Sequence, residues 1–336
     1  MSLQYFNPEA INNTINSIYS IILPSLSIDI RKIIERIDIK FLSILEEIRI
    51  RENRPLMITL NNRDFFVRND GKLISTDNGA YIVTNQDTAS ILQLISDHSI
   101  YAIEEELRNG YITLKGGHRV GFTGKGVLEG GNIKTLKYIS GFNFRISREI
   151  KGVANKVIPY ITNRGEVFHT LIISPPQCGK TTLLRDIIRQ ISDGNTTLGL
   201  RGHKVGVVDE RSELAGCYKG VPQNDIGLRT DVLDGCPKAK GMIMLIRSMS
   251  PNIIATDEVG TREDIFAIEE ALNAGIKIIT TVHGKNLEEV SRRPILKDLI
   301  NNRVFQRIII LSNRLGTGTL EKILDGDNYK NIFYII

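Results

Sequence analysis

The sequence predicts an α/β protein: a central, mainly parallel sheet covered by helices over residues 151–336, preceded by a smaller α+β domain over residues 1–150. Three observations predict it. Beyond Gly152, short apolar runs at 170–173, 205–208, 253–256 and 276–282 alternate with loops and helical patterns, as parallel strands buried on both faces do. The first run enters a loop, Ser174-Pro-Pro-Gln-Cys-Gly-Lys-Thr-Thr182, from which Leu184, Ile187, Ile188 and Ile191 follow at helical spacing. Before residue 150 the texture differs, with short strand-like runs broken by turn signals.

In that first half, helical patterns occupy 8–22, 28–37, 84–96 and 100–108. Turn signals stand at Asn53-Arg54-Pro55, Asn61-Asn62 and Asn69-Asp70-Gly71. Gly116-Gly117 and Gly130-Gly131 read as hairpin turns, so the sheet here is antiparallel.

Bulk properties narrow the class. A chain of 336 residues is long enough for two cores, and 41% hydrophobic with 24% charged is ordinary globular composition. No apolar run approaches the length needed to span a bilayer, and no basic segment precedes an apolar stretch at the N-terminus. A cytoplasmic location is expected. Cys178, Cys217 and Cys236 form no Cys-x-x-Cys pair, which points to reduced thiols and excludes a tetracysteine metal site. A net charge of +5 is too mild to argue for nucleic acid.

The loop from Ser174 to Thr182 carries the chemistry. It matches the phosphate-loop pattern G-x-x-x-x-G-K-[ST] at Gly179, Lys180 and Thr181, with Ser174 in place of the first glycine. Backbone N–H groups of Pro176-Gln177-Cys178-Gly179 and the following helix N-terminus, proline excepted, would face a phosphate. Lys180 would neutralise the β- and γ-phosphates of ATP, and the Thr181 hydroxyl, followed by Thr182, would ligate Mg²⁺. If position 174 requires a positive φ, serine there costs roughly 1–2 kcal/mol. With its strand and helix context, the motif predicts a RecA-like P-loop core.

A second strand, 252–256, ends in Asp257 and Glu258. Asp257 is the expected magnesium carboxylate and Glu258 the expected general base. Another strand runs into Asp209, Glu210 and Glu213, and parallel strands deliver such residues to one crevice at their carboxyl ends. Glu210 and Glu213 are therefore rivals for the base. A further strand ends in Thr280, Thr281 and His283, candidate sensors of the terminal phosphate. Arg247, Arg229 and Arg262 are candidates for a charge-stabilising arginine, within one subunit or between subunits.

These segments also carry a family resemblance. Leu245-Ile-Arg-Ser-Met-Ser-Pro251 through Glu258 is similar to the acidic-strand region of the type II and type IV secretion ATPases. Glu270-Ala-Leu-Asn-Ala-Gly275 through His283 resembles their histidine box, and Val208-Asp-Glu-Arg-Ser-Glu213 their acidic box. Gly117-His-Arg-Val-Gly-Phe-Thr-Gly124, the segment 208–216 and Asp257-Glu-Val-Gly-Thr-Arg262 resemble a sporulation branch of that class. The likeness spans about residues 110–325. It implies an ATP- and Mg²⁺-dependent homo-oligomer, a hexameric ring, at the cytoplasmic face of a membrane. The sporulation branch implies the mother-cell side of a channel to the forespore, with membrane-embedded channel proteins as partners. It further implies that N-terminal arginines, here Arg119, Arg145 and Arg148, reach a neighbour's nucleotide. The missing tetracysteine module argues against a type II export motor.

Two other readings compete. A RecA-like core also suits a nucleic-acid translocase, against which the mild charge and scarce aromatics count. Ser174 keeps open a nucleotide-gated scaffold with little turnover.

Overall fold

The structure, a computed structural model, describes residues 8–333. They form two compact units, the first ending at Arg148 and the second beginning at Glu149.

The first unit opens with α1 (Pro8–Ser17), α2 (Ile28–Glu35) and α3 (Ile39–Leu42). Strands β1 (Leu45–Arg51), β2 (Met57–Leu60), β3 (Arg63–Val67) and β4 (Leu73–Ile74) follow, then α4 (Asn85–Ile95) and α5 (Glu104–Asn109). Strands β5 (Tyr111–Thr113), β6 (Arg119–Glu129) and β7 (Asn132–Arg145) complete one antiparallel sheet ordered β4-β3-β2-β1-β7-β6-β5. Asn61-Asn62 closes β2 on β3, and Gly130-Gly131 closes β6 on β7. Both turn residues of each pair have positive φ, 48° and 58° in one and 60° and 84° in the other, which matches the right-handed twist of the strands they join. The helix expected over 84–96 starts at Thr84, where Thr84 and Asp87 cap each other's backbone N–H groups. The helix expected over 100–108 is a 3-10 turn at Ile100–Ile103 followed by α5. Ile30, Ile48, Ile58, Ile91 and Phe144 lie at the centre of this unit's core.

The second unit begins with α6 (Ile158–Ile161) and a small hairpin, β8 (Thr162–Asn163) with β9 (Glu166–Val167). Then come β10 (Thr170–Ser174), α7 (Lys180–Asp193), β11 (Val205–Asp209), β12 (Thr230–Asp234), α8 (Lys238–Ser248) and β13 (Ile253–Thr256). It ends with α9 (Arg262–Asn273), β14 (Lys277–His283), α10 (Leu287–Ser291), α11 (Pro294–Asn301), β15 (Arg307–Ser312) and β16 (Thr319–Asp325). The sheet runs β12-β11-β13-β14-β10-β15-β16, parallel throughout except for β16 at one edge. Alternation along β10 serves both faces: Ile172 joins one apolar core, while Leu171 and Ile173 join the other. Leu183, Leu184, Ile187, Ile188 and Ile191 bury the inner face of α7.

The order places β14 between β10, which enters the phosphate loop, and β13, which delivers the two acids. All three end at the same edge, so whatever Lys180 shares with Asp257 it shares across the end of β14. This is the RecA-like arrangement.

Candidate functional site at the carboxyl edge of the parallel sheet

The phosphate loop leaves β10 without strain at Ser174. Ser174 is the last residue of β10, paired in register with His283, and among the described residues it is not one with positive φ. The expected cost of serine at that position is therefore absent. Left-handed backbone falls instead at Gln177, φ 58°, and Gly179, φ 79°. Cys178 is buried, with its thiol toward the Pro176 carbonyl, while Pro176 and Gln177 are exposed. Gly179 caps α7 with no side-chain hydrogen bond, which leaves the N–H groups of its first turn, at Lys180, Thr181 and Thr182, to an outside acceptor.

Side chains from α7, β13 and β14 meet here. Thr181 Oγ1 donates to Asp257 Oδ2 at 2.7 Å. Lys180 Nζ lies 2.5 Å from Glu258 Oε1 and 3.6 Å from Asp257 Oδ1. Thr281 donates its hydroxyl to Asp257 and accepts from the Glu258 N–H at 2.9 Å. His283 Nε2 stands 2.8 Å from Glu258 Oε1, and Arg211 approaches Glu258 Oε2 at 3.3 Å. Thr280 is buried and donates to the Thr256 carbonyl, so it ties β14 to β13 and does not face the site. Burial works to raise the Glu258 carboxyl, but the Lys180 hydrogen bond and charge, with His283 and Arg211, outweigh it and hold it below the usual carboxylate range.

The acidic segment after β11 divides by role. Asp209 is buried and accepts N–H bonds from Glu213, Leu214 and Ala215 at 2.8–2.9 Å. It organises its own turn. Arg185, buried on α7, donates to the Leu214 and Glu213 carbonyls at 2.6 Å and clamps that turn to the phosphate-loop helix. Sequence reasoning missed Arg185, because a lone arginine on an otherwise apolar helix face carries no motif. Glu210 and Glu213 line one pocket with Asp257 and Glu258, beside Arg211 and Lys238. Lys238 Nζ holds Glu210 Oε2 at 2.5 Å. Sequence reasoning also missed Lys238 and Arg211.

The arginines fare differently. Arg247 is exposed in the last turn of α8, just before β13 starts. It therefore sits at the amino ends of the strands, away from this chain's own acids, which sets aside the within-subunit half of the expectation and does not bear on the between-subunit half. Arg229 likewise caps the far end of α7 through the Ser192 carbonyl. Arg262 opens α9 and is exposed. In the first unit, Arg119 and Arg145 are paired across β6 and β7. The Arg119 guanidinium lies 3.5 Å from the Tyr111 ring centroid, Arg145 Nε is 3.7 Å from Glu47, and Arg148 donates to the Leu45 carbonyl at 2.7 Å.

This donor set fits a magnesium-bound phosphate chain. Among the described residues no group of three or more His, Cys, Asp or Glu side chains could hold a metal by itself. One hydroxyl and one carboxylate, Thr181 and Asp257, suit an ion that takes its other ligands from phosphate and water. The uncapped helix start and Lys180 suit the phosphates.

Strand order, the loop after β10 and the converging acids define a RecA-like P-loop fold. The pilus retraction motor PilT, solved with bound ADP, shares this fold with a TM-score of 0.51 and 13% identity, over 82% of this chain and 76% of PilT. The Legionella pneumophila ATPase DotB does so at 0.50 and 16%, over 79% and 71%. The chain belongs to the family "Sporulation stage III, protein AA", whose model matches residues 16–330. It is 44% identical to the Stage III sporulation protein AA of Bacillus subtilis (strain 168) over 283 residues, 84% of this chain and 87% of that protein. Among the described residues no helix is long and apolar enough to cross a membrane.

Proposed function

We propose that this chain is a Mg²⁺-dependent ATPase that works as a ring, hexameric in the resemblance drawn above, to power or assemble a sporulation membrane channel between mother cell and forespore. One observation carries the enzymatic part: Lys180 and Thr181 on α7 converge with Asp257 and Glu258, which directly follow β13, within hydrogen-bond reach. When bound, Mg²⁺ neutralises charge on the phosphates. Thr181 and Asp257 would hold it. Lys180 turns from Glu258 to the phosphate oxygens, and this frees the Glu258 carboxylate to accept a proton from the attacking water. Thr281 and His283 keep Asp257 and Glu258 oriented meanwhile.

Family membership supports the sporulation setting, and the shared fold of PilT and DotB supports motor-like use. The channel proteins, the position at the inner membrane face and the ring size belong to the proposal. Phosphate release from the wild type, Lys180→Ala and Glu258→Gln tests the enzyme. Release from the wild type alone is expected, and equal release from all three ends the reading. The mass of the particle with and without MgATP tests the ring, and a monomer in both conditions counts against it.

A further inference from the structure

The turn joining β15 to β16 lies against the phosphate loop. A side-chain carbon placed on Gly179 would stand 3.3 Å from Gly318 Cα and 3.4 Å from Thr317 Cγ2. The turn is closed by its own bonds. Gly316 N donates to the Asn313 carbonyl at 3.1 Å, Leu315 N to Thr319 Oγ1 at 3.2 Å, and the Thr319 hydroxyl to the Gly316 carbonyl at 2.7 Å. Gly316 and Gly318 adopt φ of 118° and 81°, conformations open to glycine and strained for other residues. This preorganised turn holds Leu315 76% exposed, so an apolar surface laid on it would gain free energy.

Topology indicates what covers it. β13, with the acids at its end, lies on one side of β10 across β14, and β15 lies on the other. β10 and β15 are parallel, so the turn after β15 emerges at the same edge as the phosphate loop. A phosphate chain seated at Lys180 with its terminal phosphate toward Glu258 must leave its far end on the β15 side. We infer that the turn over residues 313–318 is the nucleoside side of the site. Leu315 covers one face of the base, and the bare backbone at Gly316 and Gly318 lets the sugar approach. The inference rests on the nucleotide reading above and adds the part of the ligand which the phosphate loop does not touch.

Inorganic tripolyphosphate separates the two halves of the ligand. Calorimetric titration of the full chain with MgATP and with magnesium tripolyphosphate is the measurement. Leu315→Ala is expected to lose about tenfold in ATP affinity, the scale of removing one buried leucine contact, and none for tripolyphosphate. Lys180→Ala is expected to lose both. The chain contains no tryptophan, so Leu315→Trp supplies a single reporter at the turn, and its emission is expected to shift when ATP binds. Wild-type affinity for tripolyphosphate equal to that for ATP overturns the inference and leaves the phosphate site standing. An unmoved Leu315→Trp emission at saturating ATP overturns it too. A wild type that binds neither ligand overturns the nucleotide reading, and this inference with it.

Discussion

Lys180 Nζ stands 2.5 Å from Glu258 Oε1, although 78 positions separate the two residues. The lysine side chain is 9% exposed and the glutamate 24%, so neither charge is well solvated and each needs the other. The contact depends on an unusual backbone: Glu258 adopts φ 54°, a conformation that costs a non-glycine residue on the order of 1–2 kcal/mol. The Thr281 hydroxyl, accepting from the Glu258 N–H, helps hold it there. Strain kept at the end of β13 aims the carboxylate at α7, where the chemistry is proposed.

That geometry ranks the rival bases. Glu258 is bonded to Lys180 and His283, whereas Glu210 is held at 2.5 Å by Lys238. Glu258→Gln keeps the shape and the hydrogen-bonding oxygen but cannot take a proton. It is expected to lower phosphate release by about 10²–10⁴, the range of a general base, while ATP still binds. Glu210→Gln is expected to cost less than tenfold, roughly 1.4 kcal/mol or less. Steady-state release and equilibrium ATP binding on both variants check this. A larger loss from Glu210→Gln would transfer the role to Glu210.

Ser174 is expected to be no handicap. It ends β10 in extended backbone, so glycine there relieves nothing and adds freedom to the unfolded chain. Ser174→Gly should leave phosphate release within about twofold and lower stability by roughly 0.5–1 kcal/mol. Denaturant unfolding and release rates measured together decide it. A marked rise in turnover would show that serine restrains the loop.

Gly179 is the opposite case. Its φ of 79° and the approach of Gly318 to within 3.3 Å of any added carbon penalise every side chain. Gly179→Ala should cost about 1–2 kcal/mol in stability and weaken ATP binding in titrations by displacing the turn over 313–318. An unchanged melting temperature together with unchanged affinity would contradict this account of the loop.

Much of the second unit is legible in the sequence because β10, β11, β13 and β14 are buried on both faces and so appear as unbroken apolar runs. β12 is not, because Thr230–Asp234 sits half-exposed at the sheet edge and carries an aspartate at every third place. Strand order is legible only through its consequence: nothing in residues 276–282 announces that they lie between β10 and β13. Asp257 and Thr181 could be paired by motif, but Lys238 and Arg185 enter through tertiary packing. Gly241 brings α8 so close to β11 that an added carbon would stand 2.6 Å from Val208 Cγ1, and that approach carries Lys238 to Glu210. Arg247 failed as a site residue of its own chain for a related reason. Nearness in sequence to β13 placed it beside the strand's beginning, a strand's length from the acids.

Each unit carries an imidazole that accepts a backbone N–H, fully buried at His118 and half-buried at His169, and this sets a pH dependence of stability. Burial pushes His118 down to about 4, and burial, with a smaller contribution from Lys277, does the same to His169. Each Nδ1 accepts a backbone N–H, from Ser147 at 3.0 Å and from Ile278 at 3.2 Å, so each ring must be neutral at that nitrogen. The unfolded chain takes up protons near the ordinary histidine pKa of about 6.5, while the folded chain resists until about pH 4. The unfolded state therefore binds more protons throughout that window, and unfolding free energy falls as pH falls through it. His118 alone accounts for a loss on the order of 3 kcal/mol by pH 4, fully absent above pH 7. Urea unfolding at pH 7.5, 6 and 5 should show the decline, and His118→Gln, which can still accept from Ser147 and donate to Ser17, should flatten it. A slope left intact by both His118→Gln and His169→Gln would assign the acid sensitivity to the carboxylates instead.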